Sequence, residues 1–143
     1  METYDMRKLI AFALVAFAGL WSASLASAQA RQVQGQIPFN FTAGSLQLPA
    51  GQYRLAYDIS GLVTLRDVEK GNTVAMLVAP DEAVKDGTCK LIFVRHGDQY
   101  FLKQSACRAA NVNFSVPASA IEKKAQERAA SNHDGAQTVI AMK

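Results

Sequence analysis

Two cysteines, Cys89 and Cys107, bracket the stretch that most constrains this chain: Cys89-Lys90-Leu91-Ile92-Phe93-Val94-Arg95-His96-Gly97-Asp98-Gln99-Tyr100-Phe101-Leu102-Lys103-Gln104-Ser105-Ala106-Cys107. Both arms are rich in Val, Ile, Phe and Tyr, which fit a pleated, half-buried surface. Gly97 tolerates the positive φ of a tight hairpin loop, and Asp98 suits a turn. The stretch therefore reads as a β-hairpin closed by a disulfide. Centring the loop on Asp98 sets Cys89 opposite Cys107, within disulfide reach. Centring it between Gly97 and Asp98 shifts the register by one and sets Cys89 opposite Ala106. The cysteine pair favours the first register.

The N-terminus bounds where this hairpin works. Arg7 and Lys8 precede an apolar run from Leu9 to Leu20. Ala26-Ser27-Ala28 and Ala28-Gln29-Ala30 follow, and both match the small-residue cleavage pattern of a secretory signal peptide. The expectation is a signal peptide over 1–30, cut after Ala28 or Ala30, and one β-rich domain over 31–143. Met6-Arg7-Lys8 would make a more conventional start than Met1. A membrane anchor is the competing reading, since the apolar character runs to about 20 residues. Ser22, Ser24 and Ser27 dilute its end, so no anchor is expected after cleavage. Export places the cysteines in an oxidising compartment, where disulfides persist. The net charge of +3 is scattered, with no run of five or six like signs, so no nucleic-acid surface is expected.

Strand signals fill the rest. Val33 to Phe41 alternates loosely, with Pro38 marking an edge or bulge, and Thr42 to Ser45 reads as a turn. Leu46 to Leu48 is a short extended piece, and Pro49-Ala50-Gly51 a β-turn. Tyr53, Leu55 and Tyr57 alternate with polar or small residues. Leu62 to Arg66 and Thr73 to Val78 flank a polar loop, Asp67 to Asn72. Ser119 and Glu122 have capping-box spacing for a helix near Ala120 to Ala130, with a thin stripe of Ile121, Ala125 and Ala129. Asn132-His133-Asp134-Gly135 stops it, and Thr138 to Met142 closes the chain as a strand. Strands spaced this way predict a mainly β fold: a small antiparallel β-barrel or β-sandwich, with one short helix before the C-terminal strand.

The chemistry is sparse. There is no G-x-S-x-G elbow, H-E-x-x-H, P-loop or Rossmann glycine pattern. An even cysteine pair in an exported chain points to a structural disulfide rather than to catalysis. His96, Asp98, His133 and Asp134 would make a zinc or copper site only if two turns met. Both histidines are read instead as solvent-exposed turn residues, so no metal, cofactor or catalytic residue is assigned. Asn40-Phe41-Thr42 and Asn113-Phe114-Ser115 match the glycosylation pattern and are read as chance. Phe39, Phe41, Tyr53, Tyr57, Phe93, Tyr100, Phe101 and Phe114 are read as core rather than as the lining of a ligand cavity.

Ile37-Pro38-Phe39-Asn40-Phe41-Thr42-Ala43-Gly44, Leu48-Pro49-Ala50-Gly51-Gln52-Tyr53 and Phe93-Val94-Arg95-His96-Gly97-Asp98-Gln99-Tyr100-Phe101-Leu102 together resemble the P-F-x-F-x-A-G, L-P-A-G-x-Y and F-x-R-x-G-D-x-Y-F-L blocks of small exported bacterial β-rich proteins. The resemblance spans nearly all of 31–143. It implies a periplasmic or extracellular location and no particular activity. The leading expectation is a non-enzymatic envelope or extracellular module that binds a partner, a protein or a small apolar ligand, or has a structural role. The alternative is a carrier of a small apolar ligand in a β-barrel cavity, and a hydrolytic enzyme ranks below both. An exposed strand edge or apolar patch would mark a binding module. An enclosed pocket would mark a carrier, and converging titratable groups with perturbed pKa values an enzyme.

Overall fold

The computed structural model describes residues 31–82, 87–130 and 135–143. The proposed signal peptide with Ala28 and Ala30, and the turn with His133 and Asp134, lie outside the described residues. In chain order the strands are β1 (Arg31–Ile37), β2 (Phe41–Ala43), β3 (Leu46–Leu48), β4 (Gly51–Tyr57), β5 (Leu62–Asp67), β6 (Thr73–Leu77) and β7 (Ala79–Pro80). They continue as β8 (Cys89–His96), β9 (Gln99–Cys107) and β10 (Val112–Ser115), then helix α1 (Ala120–Ala129) and β11 (Gln137–Ala141). The fold is mainly β with one short helix before the last strand, as the strand spacing predicts.

Two curled sheets make a half-barrel around one core. The first has the order β1-β4-β5-β6 and is antiparallel throughout. The second has the order β11-β8-β9-β10-β7, with β2 added in parallel beside β9 and β3 paired to β2. The C-terminus stitches one seam: Gln34 and Lys143 exchange backbone hydrogen bonds of 2.9 Å, and Met142 N donates to Cys89 O at 2.8 Å. At the other seam the chain crosses between sheets directly from β6 to β7. Val78 N still donates to Gly61 O (2.9 Å), whereas Asp81 N donates to Asn113 O (3.2 Å).

The first segment corrects the single strand read over Val33 to Phe41. β1 stops at Ile37, because Pro38 has no N–H for the ladder, and the chain resumes as β2 in the other sheet. The reversal after β2 is confined to Gly44-Ser45, with Gly44 at φ +63°.

The cysteine hairpin forms, and Cys89 is disulfide-bonded to Cys107. Its register is reached differently from the odd loop favoured above. The loop has two residues, Gly97 and Asp98, with His96 opposite Gln99 and Gly97 at φ +63°. That is the register which on its own would set Cys89 against Ala106. The correction comes halfway down the arms: Phe93 faces Leu102 but Ile92 faces Gln104, leaving Lys103 as a bulge. The extra residue restores the pairing of the cysteines.

Alternation fills the interior. Val33, Tyr53, Leu55, Val63 and Leu65 of the first sheet meet Leu91, Phe93, Leu102, Val112 and Phe114 of the second, all buried. Phe41 joins the two groups edge-on, with ring centroids 5.2 Å from Tyr53 and 5.4 Å from Phe93. Such aromatic pairs add about 0.5–1.5 kcal/mol each beyond their area. Phe101 alone of the eight aromatics lies on the opposite face of its sheet, beside His96.

Candidate functional site

Two places depart from a simple filled half-barrel. The first lies on the outer face of the second sheet, beneath α1. The bulge at Lys103 re-aims that side chain, which reaches both carboxylate oxygens of Glu122, 3.1 Å to Oε1 and 3.2 Å to Oε2. His96 Nε2 lies 3.6 Å from Glu122 Oε1. Glu122 is 5 % exposed and His96 8 %, so the turn histidine read as solvent-exposed is in fact buried. Phe101 closes the cluster with its ring 5.7 Å from the imidazole.

This cluster also corrects the reading of the helix. Ser119 Oγ accepts from Glu122 N at 3.2 Å, which is half of a capping box. The Glu122 carboxylate points to Lys103 and His96 instead of completing the box. The buried stripe is consequently Glu122, Ala125 and Ala129, while Ile121 is 41 % exposed. A carboxylate can occupy that stripe because a cation and a histidine meet it; an unpaired buried charge would be costly. Nothing in the sequence alone joins Lys103 to Glu122. The available signal is a lysine between Leu102 and the polar run Gln104-Ser105, at a place where the period-two alternation breaks.

Asp98 is fully exposed at the hairpin tip, 3.9 Å from Arg95 Nη2. The Arg95 Nε donates instead to Gly97 O at 2.7 Å. Among the described residues no group of three or more His, Cys, Asp or Glu is arranged to hold a metal. Asn113 is buried and its Oδ1 accepts from Cys107 N at 3.0 Å, so it presents no acceptor for a glycan. Asn40 Oδ1 accepts from Ala50 N. Tyr53 donates its hydroxyl to Pro49 O at 2.7 Å, and burial, helped by the nearby Asp67 carboxylate, raises its pKa above the ordinary 10.0. Among the described residues, the groove between β2–β3 and the hairpin tip is open to solvent, measures about 350 Å³ and is edged by Asn40, Gln47, Asp98 and Tyr100.

The second place is the outer face of the first sheet and its last strand. Leu62 and Leu77 are cross-strand partners, 37 % and 74 % exposed. Ile59, in the turn before β5, is 87 % exposed. Below this apolar end come Thr64 opposite Ala75, and then Arg66 opposite Thr73. Arg54 lies across from Arg66 on the next strand and reaches Gln34 Oε1 at 3.4 Å. Among the described strands β6 pairs with β5 and with no other, so its far edge is unpaired. The sequence signal is visible afterwards: Thr73-Val74-Ala75-Met76-Leu77 has no charged residue on either face of its alternation. A solvated outer face would ordinarily show one.

No protein-family model, curated protein or solved structure matches this chain.

Proposed function

We propose that the protein is a non-enzymatic bacterial envelope or extracellular module that acts by binding another protein chain. The observation that carries this reading is the unpaired edge of β6 beside the exposed Ile59, Leu62 and Leu77. An uncovered strand edge with apolar side chains is a ready template for strand addition. The buried disulfide is compatible with an oxidising compartment outside the cytoplasm. The apolar run and cleavage patterns of 1–30 support export on their own. The carrier reading is weaker, because Phe41, Tyr53, Phe93 and Phe114 occupy the interior that a ligand would need. The enzyme reading is weaker too. His96, Lys103 and Glu122 are engaged with one another beneath α1, and Lys103 and Glu122 do not line the open groove of about 250 Å³ that His96 edges beside the helix.

Native mass spectrometry of the protein purified from its own cell envelope tests the proposal. A bound protein chain is expected, lost when Leu62 and Leu77 are both changed to serine. A preparation carrying a small apolar molecule and no protein would replace this reading with the carrier.

A further inference from the structure

We infer that the partner at β6 is a second copy of the chain, joined antiparallel across a two-fold axis at Ala75. This rests on the binding-module reading above and names its partner. The first support is the direction of the backbone groups. Asp67 N donates to Asn72 O (2.8 Å) and Val78 N to Gly61 O (2.9 Å), which fixes the phase of the β5–β6 ladder. In an antiparallel pair the hydrogen-bonded positions alternate. Val74 and Met76 therefore spend their N–H and C=O on β5. Thr73, Ala75 and Leu77 turn theirs outward. A two-fold axis at Ala75 sets Ala75 opposite its own copy and Thr73 opposite Leu77, and every outward donor then meets an acceptor.

The second support is charge. A two-fold contact places like residues near one another, so a charged strand would repel itself. Thr73-Val74-Ala75-Met76-Leu77 carries no charge, proline or glycine, the features that ordinarily protect an edge. Charge reappears at the two ends of β6, with opposite sign. Arg66 is opposite Thr73, with Arg54 behind it and Lys70 in the preceding loop; the acids there are Glu69 and Asp67, and the buried Asp67 carboxylate is taken up by the backbone N–H groups of Glu69 and Lys70. At the other end, Asp58 N donates to Leu62 O, and Asp81 and Glu82 come after β7, where Asp81 Oδ2 accepts from Gln104 Nε2 of the second sheet at 2.8 Å. Antiparallel pairing lays the basic end of one copy along the acidic end of the other. Parallel pairing would set like against like. Pro80, already paired to Phe114 in the second sheet, limits the contact to the five residues of β6.

Sedimentation and native mass spectrometry of the chain from its own envelope test this. The expected species has twice the single-chain mass and dissociates on dilution. Ala75→Pro removes an outward N–H and leaves the β5 ladder intact. Ala75→Lys puts two ammonium groups at the axis and keeps the backbone unchanged, so it serves if the proline variant does not fold. Each should weaken association about tenfold or more, with an unaltered circular dichroism spectrum. A dimer that survives Ala75→Lys overturns the inference. A single-mass chain carrying a different protein overturns self-pairing and leaves the binding-module reading standing. A single-mass chain with no protein bound overturns both.

Discussion

Both sheets turn one face to a shared core, and they differ in what lies on the other. On the second sheet, Phe101 is 2 % exposed, beside His96 in a region roofed by α1 and locked by Lys103 and Glu122. On the first, Leu77 is 74 % exposed and nothing described lies over it. The same period-two backbone thus builds one face finished inside the chain and one that ends in open backbone donors and acceptors. A covered face converts side-chain changes into stability. A bare face converts them into association. Substitutions on the two faces should therefore separate in kind as well as size.

The largest effect is expected under the helix. Phe101→Ala removes a ring buried between the sheet and α1, and should cost about 3–5 kcal/mol. Chemical denaturation measures this directly. A loss below 1 kcal/mol would mean that α1 is a loosely held flap and that the two faces hardly differ. Next comes the disulfide, which belongs to the same sheet. Cys89 and Cys107 close a loop with a sequence separation of 18. The chain-entropy model values that at about 3 kcal/mol. Replacing both cysteines with serine should lower the melting temperature while leaving association through β6 intact, since the bond lies in the other sheet. Two reactive thiols in freshly isolated protein would show instead a redox-active pair.

A smaller effect is expected at the ion cluster. Glu122→Gln keeps the shape but removes the carboxylate facing Lys103 Nζ at 3.1 Å and His96 Nε2 at 3.6 Å. Hydrogen bonds to charged groups contribute about 1.5–3 kcal/mol. Lys103 is 27 % exposed, so water screens part of this and about 1–2 kcal/mol is expected. Destabilisation should appear as early loss of helical signal, with the sheets persisting.

These elements also show how far the sequence could be read. Alternation of Tyr53, Leu55 and Tyr57 defines β4 and its buried face, because one side chain in two must enter the core. The cysteine pair likewise reveals the hairpin. The bulge at Lys103 is not legible, because a bulge is a compromise between loop geometry at one end and a disulfide at the other. The buried face of α1 is hidden for a related reason. Ile121 has the greater hydrophobicity, yet Glu122 faces inward, because its partner arrives from a strand 19 residues earlier in the chain. Pro38 marks a break in β1, but only the assembled sheets show that the chain changes sheet there.

The smallest effect on the folded monomer, and the sharpest test of the contrast, is Leu77→Thr. Threonine, being β-branched, is well suited to a strand. Leu77 is 74 % exposed, so it has little burial to lose, and surface changes of this kind usually stay within about 0.5 kcal/mol. The same substitution at Leu102, 1 % exposed in the core, would bury a hydroxyl and leave a gap. Melting should therefore be followed as a function of protein concentration. A chain that pairs through β6 gains stability by mass action as it is concentrated, because the folded state alone binds its copy. The wild-type midpoint should climb with concentration, and the Leu77→Thr midpoint should climb less while meeting it at high dilution. Two curves that differ by a constant offset at every concentration would make Leu77 an ordinary stabilising contact of a finished surface. The difference between the two faces would then be one of degree only.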